Sequence, residues 1–418
     1  MKGNNSLFAI FSNYSLFEIF ILGILSGMPF SVIFTLLVVM MKDMGVALSI
    51  VTALALAKLP YSIKFLWSPL IDGLKLGFLS KFGRRKSWMM LLTALNIVFL
   101  SIIILIASKQ NFQYVLLFAI CFGFCAASYD IVYDAWRIER VSESMQVMCG
   151  AVAVFGYRIG ALITSAGAMY IVGSTGDNWN SGFIFIISCF TACLLFLLSI
   201  KDDSFTKLSK QDFNFRKNVI IPFKDFLLRP NAIYILLAII LYKAGEAMLA
   251  YVATPFILDL GFTKEQWSVA VKGVGFISTS LGAFCGGVIC YKIGTVRGLI
   301  FCGFFQMIAN LSYIWLGYQG AQINALIITV AIDNLTGGMG AAALVGFLGT
   351  LCNKEYTATQ YALLSSAATF ANGTINAYSG SLVTMFGWTN FFILTVLLSV
   401  PGLLILLYLM KRNAKASK

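Results

Sequence analysis

The chain has 418 residues, of which 59% are hydrophobic and only 11% are charged. This composition excludes an ordinary soluble protein and a disordered chain, and it indicates an integral membrane protein. Histidine is absent, so any proton chemistry must use carboxylates, and neither a metal site nor a cofactor is expected.

Apolar runs of membrane-spanning length recur along the whole chain. We predict an all-α protein with twelve transmembrane helices, at residues 16–42, 47–71, 86–108, 112–136, 147–172, 181–200, 231–257, 266–290, 297–317, 322–350, 359–385 and 388–411. A polar connection at 201–230 divides the chain into an N-terminal six-helix half, 1–200, and a C-terminal six-helix half, 231–418. These spans leave no room for a separate catalytic domain, and no nucleophile–base pair stands out, so an enzyme is not expected.

The net charge of +13 reflects lysine and arginine in the connections between the spans. Most of these cations lie on the side that also holds both termini, whereas the opposite connections hold Lys42, Lys109 and Lys264. By the positive-inside rule, both termini are predicted to be cytoplasmic. The charge is therefore a signal of membrane topology, and no nucleic-acid partner is expected.

Two corresponding connections carry similar glycine-containing, basic sequences. The first follows the second span and contains Asp72, Arg84 and Arg85, and the other follows the eighth span and contains Lys292 and Arg297. Cations in such a turn can pair with a carboxylate or with a helix end and hold one conformation. We predict a repeated transporter motif that acts as a conformational latch. The alternative is an ordinary positively charged cytoplasmic loop.

The fourth span carries two acids and a base on one face. Asp130, Asp134 and Arg137 are spaced at i, i+4 and i+7, which places them within roughly 40° of one another around a helix. An ionised group in the membrane requires a partner, an aqueous cavity or a function. A conformational change that moves Arg137 or Arg158 relative to the carboxylates can load and release a proton. The alternative is that Asp134 and Arg137 form only an interfacial ion pair.

Further polar residues lie within the other predicted spans. Lys58 is the cation best placed for an anionic ligand group, whereas Lys64 and Glu18 are expected to extend to the membrane interface. Lys243 and Glu246, at i and i+3 in the seventh span, either contact a ligand or neutralise each other. The remaining candidates are Asp333 and Asn334 in the tenth span, and Tyr129 and Tyr157, whose rings either stack on sugars or only pack.

Five separated segments of the chain resemble the AmpG-type muropeptide permeases of the major facilitator superfamily. They are LPYSIKFLWSPLID at 59–72, YDIVYDAWR at 129–137, GYRIG at 156–160, TPF at 254–256 and YTATQYALLSS at 356–366. The related acetyl-CoA transporters are similar in places. One position departs from the permeases, which usually have glutamine where this chain has Tyr129.

The resemblance implies two halves of six helices with the substrate between them, and helices 1, 4, 7 and 10 lining the cavity. It also implies import of muropeptides, the GlcNAc-anhydroMurNAc peptides of cell-wall recycling, across a bacterial inner membrane by proton-coupled alternating access. Under this hypothesis the proton is handled by Asp130, Asp134, Arg137 and Arg158. The residues that would bind substrate are Lys58, Tyr129, Tyr157, Lys243, Glu246, Asp333 and Asn334.

Two alternatives to muropeptide import are left open by the sequence. The same fold could carry another solute, such as an acyl-CoA, a nucleotide-linked group or a sugar. The chain could also be a membrane sensor that binds a solute without transporting it. The expected partners are a small-molecule substrate, protons and membrane lipid, and the chain is expected to be a monomer.

Overall fold

The structure, a computed structural model, describes residues 14–46, 48–74, 76–107, 111–200, 216–263, 266–267 and 269–416. These residues form helices, and no β-strand occurs among them. The main helices, labelled in chain order, are Ser15–Asp43 (α1), the broken stretch from Leu48–Ala53 to Ser68–Gly73 (α2), Arg84–Ala107 (α3), Phe112–Arg140 (α4), Gln146–Ser174 (α5), Trp179–Ser199 (α6), Ala232–Asp259 (α7), Val269–Ile293 (α8), Thr295–Gln319 (α9), Ile323–Leu351 (α10), Thr357–Ala377 (α11) and Ser379–Ala416 (α12). A short helix, Ile221–Leu227, precedes α7.

Within the described residues, 10 helices are long and apolar enough to cross a membrane, namely all of those labelled except α2 and α11. A backbone inside a bilayer has no water to hydrogen-bond, and a helix satisfies its N–H and C=O groups internally. The prediction of an all-α membrane protein is confirmed. That α2 and α11 also cross the membrane, which would give twelve spans, stays a prediction.

Three helices are broken at residues whose chemistry explains the break. Pro60 and Pro69 begin two of the short pieces of α2, since proline lacks the N–H group that a continuous helix needs. In α7, Lys243 joins two helical pieces through a non-helical backbone. Gly387 in α12 has a φ of 74°, a conformation that favours glycine. Such breaks free backbone groups within a helix for other partners.

The described residues cluster into two compact units. Unit 1 comprises those within Met1–Val141, Val152–Phe223 and Asn353–Ala362, and unit 2 comprises those within Ser142–Ala151, Lys224–Cys352 and Leu363–Lys418. The first residues of α11 thereby belong to unit 1. The predicted boundaries of the two halves stay a prediction, and residues 201–215 of the predicted linker, Lys109 and Lys264 lie outside the described residues.

Glycines bring helices within each unit into backbone contact. In unit 1, a Cβ atom added to Gly27 of α1 would lie 1.9 Å from the carbonyl oxygen of Tyr157 in α5. In unit 2, a Cβ atom added to Gly282 of α8 would lie 1.9 Å from the carbonyl oxygen of Leu335 in α10. Only glycine permits such close approach, and van der Waals contact is a main source of helix association in lipid. These contacts fix α5 beside α1 and α10 beside α8.

Candidate functional site

The acidic face of α4 is paired with residues of other helices in unit 1. The Asp130 carboxylate accepts a hydrogen bond from the Ser26 hydroxyl of α1 at 2.5 Å. Asp134 accepts a hydrogen bond from Arg137 Nε at 2.9 Å, and its other oxygen lies 3.8 Å from Lys64 Nζ of α2. Asp130 also lies within electrostatic range of Lys64 and Asp134. The face therefore combines two carboxylates with two cations.

Two residues expected at the membrane interface are buried. Lys64 faces Asp134, and Glu18 of α1 forms an ion pair with Arg140 of α4, with 2.6 Å between Arg140 Nη2 and Glu18 Oε2. The expectation that Lys64 and Glu18 extend to the interface is wrong, because a partner of opposite charge on α4 compensates their loss of water.

Arg137 connects α4 with the first residues of α11 inside unit 1. Its side chain is 0% exposed, and its Nη2 donates a hydrogen bond to the Tyr361 hydroxyl at 2.6 Å. The guanidinium also lies over the Tyr361 ring, 4.9 Å from the ring centre. One buried cation thus contacts both the Asp134 carboxylate and a phenol. Because Asp134 is the charged partner, its protonation would shift the interactions of Arg137 toward Tyr361.

The rings of Tyr129 and Tyr133 stack on α4 with centres 6.2 Å apart. Both residues are buried, and their hydroxyls donate hydrogen bonds to backbone carbonyls of α1, those of Leu22 at 3.3 Å and Ile19 at 2.7 Å respectively. The structure therefore places Tyr129 in a packing position between α1 and α4.

The other candidates in unit 1 are Tyr157, Arg158 and Lys58. Tyr157 and Arg158 of α5 are half-buried, and Tyr157 lies within electrostatic range of Asp130. Tyr61 of α2 was not singled out from the sequence, but it also lies within this range, and its buried hydroxyl has no hydrogen-bond partner among the described residues. Lys58 is exposed and forms no ion pair with the described chain. Tyr61, Tyr157 and also Tyr129 thus lie within electrostatic range of Asp130.

A second cluster of charges lies in unit 2, at the break of α7. Lys243 Nζ donates hydrogen bonds to the Glu246 carboxylate and, at 3.4 Å, to the backbone carbonyl of Gly337 in α10. The Glu246 side chain is 39% exposed, whereas that of Lys243 is 11% exposed. Glu246 can therefore be reached by a solute, while Lys243 is held between α7 and α10.

The α10 candidates have partners on neighbouring helices. Asp333 accepts a hydrogen bond from the Tyr313 hydroxyl of α9 at 2.9 Å, and it lies within electrostatic range of Glu246. Asn334 accepts a hydrogen bond from the Thr279 hydroxyl of α8 at 3.0 Å. The structure thus brings the predicted residues of α7 and α10 into one polar region of unit 2.

The predicted latch residues before α3 form a buried network in unit 1. Arg85 Nη2 donates to Asp72 at 2.8 Å and to Glu139 of α4 at 2.7 Å, while Arg84 lies 3.4 Å from Glu139. The other Asp72 oxygen accepts hydrogen bonds from the backbone N–H and the hydroxyl of Thr359, both at 2.7 Å. Asp72 therefore binds the N-terminus of α11, where an anion is favoured by the helix dipole.

The corresponding residues before α9 form no such network. Lys292 and Arg297 are exposed, and neither has a hydrogen bond or an ion pair with the part of the chain that the structure describes. The sequence places Gly286 and Gly287 near this turn and no acid. Similar basic residues at equivalent positions thus have different surroundings, because among the described residues those of the first turn bind carboxylates and those of the second turn bind none.

Sequence reasoning missed several partners of these residues. Ser26, Tyr313 and Tyr361 are uncharged residues in apolar helices, and nothing local distinguishes them from packing residues. A basic partner of Glu139 could have been predicted, because this residue is an acid within the basic end of α4. In the described residues there is no group of three or more potential metal ligands.

Comparison with known proteins agrees with this architecture. The sequence matches the Major Facilitator Superfamily over residues 19–332. It is 44% identical over 413 residues to AmpG 4 of Rickettsia felis, covering 96% of this chain and 98% of that protein. It is 32% identical over 392 residues to a protein of Escherichia coli K12 named anhydromuropeptide permease, covering 93% and 78% respectively. The solved structure of the human organic anion transporter MFSD10 is similar in fold, with a TM-score of 0.73 at 14% identity over 94% of this chain and 98% of that one.

Long apolar helices that enclose paired charges are typical of secondary transporters. The matches show that this chain belongs to the major facilitator superfamily and, within it, to the AmpG-type permeases. It is a multi-pass membrane transporter with a small-molecule substrate, and the resemblance seen in its sequence is confirmed.

Proposed function

We propose that the protein imports muropeptides across a bacterial inner membrane by proton-coupled alternating access, with both termini in the cytoplasm. The carboxylates of α4, paired with Ser26, Lys64 and Arg137, are the observation that carries the proton coupling. The name of the Escherichia coli relative supports muropeptides as the substrate class. Burying an acid within the membrane costs free energy. Carboxylates that are nevertheless present there, beside cations, therefore favour a role in the transport cycle.

The proton step uses the two carboxylates of α4 in different ways. Asp130 accepts a hydrogen bond from a neutral hydroxyl, so its protonation breaks no ion pair. Asp134 is bound to Arg137, so its protonation weakens that ion pair, while the hydrogen bond from Arg137 to Tyr361 does not depend on the charge of Asp134. Proton uptake can thus be linked to the position of α11, which carries Tyr361. Tyr157 and Arg158 border the same carboxylate region.

Each unit, taken by itself, carries polar groups that suit parts of a muropeptide. A muropeptide offers sugar hydroxyls, amides and peptide carboxylates. Lys58, which has no ion-pair partner in the described chain, suits a carboxylate. Glu246 and Asp333 suit hydroxyl and amide donors, and Asn334 can bind either kind of group. Tyr157 offers an aromatic face for a sugar ring.

Replacing Asp130 with asparagine is expected to abolish accumulation driven by a pH gradient, because the amide keeps the size and cannot carry a proton. The measurement is uptake of labelled anhydromuropeptide into proteoliposomes with and without an imposed gradient. The same substitution at exposed Asp177, where φ is 60° and asparagine is well tolerated, serves as the control. Unchanged gradient-driven uptake by the Asp130→Asn protein would show that the proton is carried elsewhere.

Lys243→Met and Glu246→Gln are each expected to weaken binding of labelled anhydromuropeptide by about ten-fold or more, since hydrogen bonds to charged groups contribute about 1.5–3 kcal/mol. Equilibrium binding to the purified protein in detergent measures this effect. The double variant separates the two roles of the pair. If the residues only neutralise each other, removing both charges restores binding. If Glu246 contacts the substrate, as proposed, binding by the double variant stays weak.

A second candidate is transport of another solute by the same fold, and the exposed cation Lys58, which suits any anionic group, favours it. Competition of labelled anhydromuropeptide uptake by acyl-CoA, nucleotide sugars and free sugars distinguishes the two substrates. Binding of a solute without accumulation in vesicles would instead indicate a sensor.

A further inference from the structure

A groove lies between α9 and α12 on the surface of unit 2. Its volume is about 490 Å³, and its walls include Phe301, Phe304 and Met307 of α9, and Leu404 and Leu407 of α12. Arg297, at the beginning of α9, is the charged residue among those that line it. The groove is therefore an apolar surface depression with one cation at one end.

The walls of this groove are exposed on helices that cross the membrane. Phe301, Phe304 and Leu404 are 41%, 47% and 58% exposed. On a transmembrane helix, such exposed apolar side chains face acyl chains of lipid. The rise from Arg297 to Met307 is about 15 Å, which equals half of a hydrocarbon core of about 30 Å. The groove thus matches the depth of one leaflet and has space for an acyl chain.

Two cations are expected where the groove meets the membrane surface. Arg297 has no ion pair or hydrogen bond with the described chain. Lys411 is exposed and continues the face of Leu404 and Leu407 at i+7 and i+4. The positive-inside rule predicts that the beginning of α9 and the end of α12 are both cytoplasmic, which places Lys411 and Arg297 at the same membrane surface. The sequence contains no acid from residue 266 to residue 332 or after Glu355, so neither helix supplies a carboxylate to these cations. A basic pocket between helices at this membrane surface favours an anionic headgroup.

We propose that this groove binds an anionic membrane phospholipid, with the phosphate at Arg297 and Lys411 and one acyl chain between α9 and α12. The basic residues around the beginning of α9, which bind no carboxylate of the described residues, thus serve as a lipid anchor, while those at the beginning of α3 form the Asp72 network. This role is independent of the transported solute. The alternative is that Arg297 only extends to the membrane surface and contacts any lipid headgroup. In that case the two lipids compared below would be retained equally.

The test compares phosphatidylglycerol with phosphatidylcholine of the same acyl chains, each added to the purified full-length protein in detergent. Native mass spectrometry measures the lipid that stays bound. The wild-type protein is expected to retain phosphatidylglycerol about five-fold more strongly for each contributing cation. Arg297→Gln is expected to reduce this preference about five-fold, whereas Lys354→Gln, which removes an exposed cation that does not line the groove, keeps it.

A second variant tests the apolar part of the groove. Leu404→Trp fills the space for the acyl chain and is expected to reduce retention of both lipids while Arg297 is intact. Its thermal unfolding midpoint, measured beside the wild type, confirms that the fold is kept. Equal retention of the two lipids by the wild type, or an undiminished preference in Arg297→Gln, would overturn the proposal. Displacement of phosphatidylglycerol by millimolar inorganic phosphate would also overturn it, since an anion site without a bound chain is then sufficient.

Discussion

Replacing Arg85 with glutamine is expected to lower the free energy of unfolding by about 3–5 kcal/mol and to abolish transport. The Arg85 side chain is 0% exposed and lies between the carboxylates of Asp72 and Glu139. Without its charge, two acids face each other with no buried cation between them. Denaturant unfolding in detergent micelles measures the change in stability, and uptake into proteoliposomes measures transport.

Arg84→Gln is the matched control for this experiment, because this substitution removes the same charge from the adjacent residue. The Arg84 side chain is 14% exposed and lies 3.4 Å from Glu139, so its loss is expected to destabilise the protein less than the loss of Arg85, whose side chain is 0% exposed. Equal effects of the two substitutions would contradict the network, since only Arg85 binds both carboxylates. Loss of stability in Arg85→Gln without loss of transport would restrict the network to folding and exclude a latch.

Gly282→Ala is expected to destabilise the protein by about 1–3 kcal/mol or more and to abolish uptake. The new Cβ atom would lie 1.9 Å from the carbonyl oxygen of Leu335, a backbone atom that cannot turn away. The two helices must separate, which moves Asp333 and Asn334 of α10 relative to Thr279 of α8. The thermal unfolding midpoint in detergent and uptake of labelled anhydromuropeptide test the two effects.

Gly273→Ala provides the control at the beginning of α8. A Cβ atom there would have nothing within 4 Å, so the substitution is expected to leave both the unfolding midpoint and uptake unchanged. If Gly282→Ala unfolds at the same temperature as Gly273→Ala, the close contact between α8 and α10 does not contribute to stability. If both variants lose stability equally, the effect belongs to glycine in α8 in general.

Local spacing predicted one part of the candidate site well. On α4, the positions of Asp130, Asp134 and Arg137 follow from the repeat of a single helix, and the structure indeed pairs Asp134 with Arg137. Lys243 and Glu246 are likewise neighbours on α7, and the structure pairs them. Such contacts join residues a few positions apart, so the geometry of a helix specifies them before any tertiary packing.

The similarity of the two basic turns predicted the surroundings of their residues less well. Arg85 and Arg297 belong to equivalent turns, yet Arg85 is buried between carboxylates and Arg297 lines an exposed apolar groove. The difference depends on Asp72 and Glu139, which have no counterpart near the second turn. A basic motif specifies the presence of charge, whereas its role depends on what the neighbouring helices place beside it.

The sequence by itself determined the membrane environment, the helical architecture and the family, because long apolar runs can satisfy their backbone in lipid only as helices. It also placed the acids of α4 on one face. The tertiary structure decided the partners of these acids: Ser26 of α1, Lys64 of α2 and, through Arg137, Tyr361 of α11. These residues are far apart in the chain, and Ser26 and Tyr361 carry no local signal. Only the packing of the helices could therefore bring them together, and burial made their pairing necessary.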